Sequence, residues 1–298
     1  MQPCWARCLL IAASIALAPV AVADTGLIGS WCDQLGSRLH SVSADACRVQ
    51  DFTVANERTT RGNLLVMRDI AVDDDKLPPD AKRILVIGGI HGDELTSVST
   101  VFRWLSWIDQ SGAVDYRWRV IPVANPDGLF ARPPTRVNAN GVDINRNFQT
   151  PDWERDARSY WTQRTGSDPR RNPGKQACSE VETRWLQQQV EMFHPDLVIS
   201  VHAPYNLLDY DGSMPEPTRF GRLLLNRLGV YPGSMGNYSG LYKQIPVITI
   251  ELPNATNMPS LSDQRAMWED MLQWMRRNLP VALPPSGLKG IDVSPVPD

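Results

Sequence analysis

Three apolar runs, each delivering a side chain able to hold a metal or move a proton, set the architecture open to this chain. Ile84–Ile90 runs into His91, Leu197–Val201 into His202, and Val247–Ile250 into Glu251. Runs of this length read as buried strands, and helical patterns separate them. Val98, Phe102, Leu105 and Ile108 recur at helical spacing after the first run, and Val181, Trp185, Leu186, Val190 and Phe193 do so before the second. Met267, Trp268, Met271, Leu272 and Met275 mark a helix after the third. Tyr116–Val123 reads as a further strand and ends in the turn sequence Asn125-Pro126-Asp127-Gly128. This alternation predicts an α/β fold with a mixed, largely parallel sheet and helices on both faces. Ligands in such folds sit beyond the carboxyl ends of the strands, where His91, His202 and Glu251 fall.

The ends of the chain read differently. Arg7 closes a short basic segment, Leu9–Val22 is apolar, and Ala21-Val22-Ala23 is a small-X-small site. Residues 1–23 are therefore read as a signal peptide cleaved before Asp24, which places the mature protein in the bacterial periplasm or outside the cell. No later apolar run is long enough to span a bilayer, so no stable membrane insertion is expected after cleavage. Residues 24–55 read as an N-terminal extension, 56–280 as the domain carrying the reactive residues, and 281–298 as a flexible proline-rich tail. Cys32 and Cys47 are the natural disulfide pair in an oxidising compartment, which leaves Cys178 as a buried thiol. The polar stretch 130–175 is long for a loop inside a domain, and such loops are usually functional. A net charge of −3 and the lack of any basic block exclude a nucleic-acid partner.

Gly88-Gly89-Ile90-His91-Gly92-Asp93-Glu94 admits two chemistries. Gly-Gly-X-His-Gly serves as an oxyanion loop in some serine hydrolases, but those need a Gly-X-Ser-X-Gly elbow. None occurs, and Gly236-Asn237-Tyr238-Ser239-Gly240 has its serine one place late. His-X-X-Glu is instead half of a zinc site. With His202 it supplies two imidazoles and one carboxylate, leaving a fourth position open, as catalytic zinc requires. Glu251 is then the candidate acid/base. His40 and His194 are read as structural.

Taken in order, the motifs resemble those of the zinc metallocarboxypeptidase family. Thr60-Arg61-Gly62-Asn63-Leu64, His91-Gly92-Asp93-Glu94, Asn125-Pro126-Asp127-Gly128 and Val142-Asp143-Ile144-Asn145-Arg146-Asn147-Phe148 carry the likeness in the first half. Ser179-Glu180-Val181-Glu182-Thr183, Ser200-Val201-His202 and Thr249-Ile250-Glu251-Leu252 carry it in the second. The resemblance implies an eight-stranded sheet, one zinc held by His91, Glu94 and His202, and Glu251 as the catalytic glutamate. It implies Asn145 and Arg146 as a grip on a substrate carboxylate, and Arg136 as the oxyanion arginine, with Arg132 as a rival. For the family's substrate-binding tyrosine, Tyr238 is the first choice and Tyr231 and Tyr242 are rivals. The stretch from Tyr231 to Pro253 resembles bacterial murein peptide amidases, which cut between γ-D-glutamate and meso-diaminopimelate. The implied substrate is thus a peptidoglycan-derived peptide. The alternatives are a general carboxypeptidase on ordinary peptides, a zinc N-acyl amino acid deacylase, and a wall-binding module without turnover.

Overall fold

The computed structural model describes residues 21–70, 81–111 and 116–279. The expected leader, apart from Ala21–Ala23, and the proline-rich tail lie outside that range. Seven strands form the main sheet: β1 (Thr53–Arg58), β2 (Leu64–Ile70), β3 (Arg83–Ile87), β4 (Arg117–Ile121), β5 (Leu197–His202), β6 (Leu207–Asp211) and β9 (Val247–Glu251). Between the last two, β7 (Arg219–Phe220) and β8 (Leu223–Leu224) make a small separate hairpin. The order across the main sheet is β1-β2-β4-β3-β5-β9-β6. The four central strands β4, β3, β5 and β9 are parallel, and β1, β2 and β6 join antiparallel. The mixed α/β architecture is as expected from the alternation. Among the described residues the sheet has seven strands where the family likeness implied eight.

Strand alternation explains why both faces are covered. Ile84 and Val86 of β3 join one apolar cluster, with Ile199 and Val201 of β5 and Ile248 and Ile250 of β9. Helices α3 (Leu95–Ser111) and α7 (Leu261–Asn278) pack there through Val98, Trp104, Leu105, Trp268 and Met271. Leu85 and Ile87 point the other way, into a second cluster with Val198, Val247 and Trp185, Leu186 and Val190 of helix α6 (Val181–Phe193). On this second face the apolar core gives out toward the strand ends. Along β5 the residues run Val198, Ser200, His202, and along β9 they run Val247, Thr249, Glu251. That polar end is where the site forms.

The extension is folded onto the same core. Helices α1 (Ala21–Arg38) and α2 (Ala44–Arg48) are joined by the Cys32–Cys47 disulfide. Trp31, Leu35 and Phe52 pack into the first cluster, with edge-on ring contacts from Trp31 to Phe52 at 5.7 Å and from Phe52 to Phe102 at 5.9 Å. Cys178 is buried, as expected. The long polar stretch holds short helices, α4 (Pro126–Phe130) at its entrance and α5 (Arg158–Arg164) within it. Among the described residues no helix is long and apolar enough to cross a membrane.

Candidate active site

His91 leaves the end of β3 through Gly89, whose φ of +60° suits glycine. Gly92 is held still closer: a Cβ there would lie 2.2 Å from the backbone at Gly128 and Leu129. The Asn125-Pro126-Asp127-Gly128 turn thus presses directly on the His91 segment. Glu94 follows three residues later, and Glu94 and His91 meet with Nδ1 and Oε1 2.8 Å apart. His202, at the end of β5, brings its Nδ1 to 3.2 Å from His91 Nδ1 and 3.0 Å from Glu94 Oε2. All three residues are buried, and one ligand atom from each lies within 4.8 Å of the others.

The outer nitrogens explain how this cluster suits a cation. His91 Nε2 lies 3.1 Å from Asp143 Oδ1, and His202 Nε2 lies 2.9 Å from Ser200 Oγ. A proton held at each outer position leaves the Nδ1 lone pairs facing one another. Two such lone pairs and a carboxylate, all buried, are a poor arrangement without a positive ion and a good donor set for zinc. Burial opposes the Glu94 charge, and positive charge on the imidazoles of His91 and His202 outweighs it and holds the carboxyl well below the usual carboxylate range; a metal ion at the same point would supply that charge while leaving both Nδ1 lone pairs free. Asp143 behaves alike: burial opposes its charge, and Arg136 and His91 outweigh it.

Glu251 ends β9 directly opposite His202 in register. Burial raises its carboxyl above the usual value, partly offset by His202. One of its oxygens accepts a hydrogen bond from the Tyr205 N–H at 3.3 Å. A cavity of about 220 Å³ joins His91, His202 and Glu251 to Arg136, Asn145 and Arg146. Arg136 lies over the cluster, its Nε donating to Asp143 Oδ2 at 3.0 Å and its Nη1 3.4 Å from Glu94. Arg132 is exposed and does not line the cavity. Asn145 accepts from the Met235 N–H at 2.8 Å, and the Arg146 guanidinium stacks 4.4 Å from the Tyr231 ring centre.

Tyr238 is not brought to this cavity, a correction to the first choice of tyrosine. It is 1% exposed, stacks on Phe148 at 5.6 Å and donates its hydroxyl to Glu191 at 2.8 Å. Tyr242 also stays out, whereas Tyr231 lines the cavity. Tyr205, Asp143 and Arg171 were not singled out from sequence. Asp143 had a signal, an acid inside the Asp-Ile-Asn-Arg motif, but its contact with His91 depends on the fold.

Comparison with known proteins agrees with this geometry. The zinc carboxypeptidase family matches residues 53–220. Murein peptide amidase A of Escherichia coli strain K12 is 28% identical over 201 residues, covering 64% of this chain and 79% of that protein. Murein peptide amidase A of Vibrio campbellii is 30% identical over 182 residues, covering 57% and 69%. The solved structure of bovine thrombin-activatable fibrinolysis inhibitor in complex with tick carboxypeptidase inhibitor shares the fold. Its TM-score is 0.57 at 17% identity, over 83% of this chain and 93% of that one. With more than half of its length matched and a buried His-Glu-His donor set at its strand ends, the chain belongs to the zinc carboxypeptidase family and is a zinc-dependent hydrolase.

Proposed function

We propose that this protein is an exported murein peptide amidase. It removes meso-diaminopimelate from γ-D-glutamate in peptidoglycan-derived peptides, outside the cytoplasm. The observation that carries this reading is the single cavity linking the donor set and Glu251 to a buried arginine beside Asn145. Relatives named murein peptide amidase A support the substrate class. The leader-like segment ending at Ala23 supports the location.

His91, Glu94 and His202 would hold the zinc, which would supply Lewis acidity and make a water easier to deprotonate. Glu251 takes a proton from the attacking water and later returns it to the leaving amine. Arg136 sits where a guanidinium offsets the charge that develops on the carbonyl oxygen. Its own charge is anchored by Asp143, so little reorganisation accompanies reaction. Arg146, with Asn145 beside it, binds the carboxylate on the leaving side bidentately. Asp143 fixes the ring of His91 and thereby the direction of its free lone pair.

The test is to incubate the protein with L-alanyl-γ-D-glutamyl-meso-diaminopimelate and follow free diaminopimelate by mass spectrometry. Release is expected. No release, beside brisk trimming of ordinary peptides, would overturn the murein reading in favour of a general carboxypeptidase. Export is tested by fractionating cells that make the full chain, with a cytoplasmic location as the contrary result.

A further inference from the structure

The sheet face that carries His202 and Glu251 continues past them into two acids. In the antiparallel pair of β6 and β9, Leu207 lies opposite Glu251, Asp209 opposite Thr249, and Asp211 opposite Val247. Strand alternation puts Glu251, Thr249, Asp209 and Asp211 on one face. Successive rows on a face are two residues apart, or about 7 Å. Asp209 therefore lies one row, and Asp211 two rows, behind the row of His202 and Glu251. Both line the same cavity as the donor set.

Asp209 is 5% exposed, and its Oδ1 accepts from the N–H groups of Tyr210 and Leu228 at 3.0 and 3.2 Å. Asp211 has no side-chain hydrogen bond or ion pair among the described residues. The chain nevertheless makes room for it. A Cβ at Gly236 would lie 2.0 Å from Asp211 Oδ2, and one at Gly240 would lie 2.7 Å from Asp211 Cβ. Burial, then repulsion from Asp209, pushes the Asp211 carboxyl up to about 7. Arg227, the nearby cation, is engaged with Glu216 and largely exposed. Two glycines are thus packed around an acid that lacks a partner cation.

A cationic group stands close by. Arg171, from the long polar stretch, lines the cavity, and among the described residues its side chain is tied only by a 3.4 Å contact to Asp168. It and Asp209 are both near enough to the Tyr231 hydroxyl to bias its ionisation, after burial and along with Arg146. The cavity therefore presents both signs of charge away from the zinc ligands, in addition to Arg146.

We propose that Asp209, Asp211 and Arg171 are specificity-determining residues that bind an amino-carboxylate group at the far end of the leaving residue's side chain. The inference rests on the reading of this cavity as the leaving side of a carboxypeptidase, and it adds what the pocket selects. A side chain of four or five single bonds reaches about 6 Å from its Cα, close to the one-row spacing. An ammonium there meets Asp209, with Asp211 one row farther along the same cavity wall, and a carboxylate there meets Arg171. Diaminopimelate carries both groups, lysine only the first, and norleucine neither. A neutral end would leave the buried Asp209 and the half-buried Asp211 and Arg171 without a partner charge in the filled pocket, which disfavours it.

The full-length zinc enzyme is assayed on γ-D-glutamyl substrates whose leaving residue is meso-diaminopimelate, lysine or norleucine, and on an α-linked series with the same leaving residues. The readout is the ratio of kcat/KM between leaving residues, which general damage to catalysis does not change. Asp211→Asn and Asp209→Asn are expected to lower the lysine-to-norleucine ratio about tenfold, and Arg171→Gln the diaminopimelate-to-lysine ratio by a similar factor. Unchanged ratios would overturn the proposal. Should the aspartate variants fold poorly, product inhibition of the wild type decides: free diaminopimelate is expected to compete better than norleucine, and equal competition counts against the pocket. Failure to cut any γ-linked substrate removes the murein reading alone, because the α-linked series still measures the ratios.

Discussion

Glu251 and His202 are direct register partners on adjacent parallel strands, β9 and β5. The carboxylate and the imidazole are thus held side by side by main-chain hydrogen bonds rather than by a flexible loop. A base placed by a sheet ladder stays in place when its chemistry is removed. Glu251→Gln is expected to bind zinc as the wild type does while kcat falls by about 10³-fold. Elemental analysis and a peptide-hydrolysis assay on the same sample check both halves. Normal turnover would show that another group moves the proton.

Asp143 is expected to tune the zinc affinity from outside the donor set. It is fully buried, faces His91 Nε2 at 3.1 Å and accepts from Arg136 at 3.0 Å. Asp143→Asn retains the shape but removes the charge that orients both. Zinc affinity should fall about tenfold, as measured by competition with a chromogenic chelator. Affinity equal to that of the wild type would mean that His91 is oriented by packing alone.

These two residues mark the boundary of what was legible before folding. Glu251, His202 and His91 each close an apolar run, and a strand end is a local property that the sequence writes directly. Helix α6 and strands β3, β5 and β9 were visible for the same reason. Asp209 and Asp211 were not, because their place depends on the antiparallel register of β6 against β9, a pairing between separated segments. Acids alternating into a core-facing row also read as a loop. Tyr238 was assigned to the cavity because its glycine-rich turn carries no mark of which side faces solvent. Packing against Phe148 and a hydrogen bond to Glu191 turned it inward. Arg171 became a neighbour of Arg146 only through the path of the long polar stretch.

Arg146 should matter for its planar geometry as well as its charge. It is 8% exposed and stacks on Tyr231 at 4.4 Å. Arg146→Lys keeps a cation but loses the fork that binds a carboxylate at two points, and it loses the stacking. The cost is about 2 kcal/mol, so kcat/KM on a free-carboxylate substrate should fall about 30-fold. The decisive measurement is the ratio to the same peptide ending in an amide, which should collapse in the variant. A ratio unchanged from the wild type would move the carboxylate grip elsewhere.

Glu182, far from the reaction in role, should set how stability depends on pH. It is fully buried, its Oε2 accepts from Asn138 at 3.1 Å, and among the described residues its Oε1 has no side-chain hydrogen-bond partner. Glu180 takes a hydrogen bond from the same Asn138 amide. Burial, with smaller contributions from Asp127 and Glu180, raises the Glu182 carboxyl from 4.5 to about 7. Between those values the folded state keeps a proton that the unfolded chain has released, so folding stability falls as pH rises from 4.5 to 7 and then levels off. The full loss is about 3 kcal/mol by the size of the shift. Glu182→Gln keeps an acceptor toward Asn138 and cannot ionise. The variant should match the wild type near pH 4.5 and exceed it by up to that amount above pH 7, in urea titrations with zinc present. A stability gap that stays constant across this range would show that Glu182 does not titrate within it.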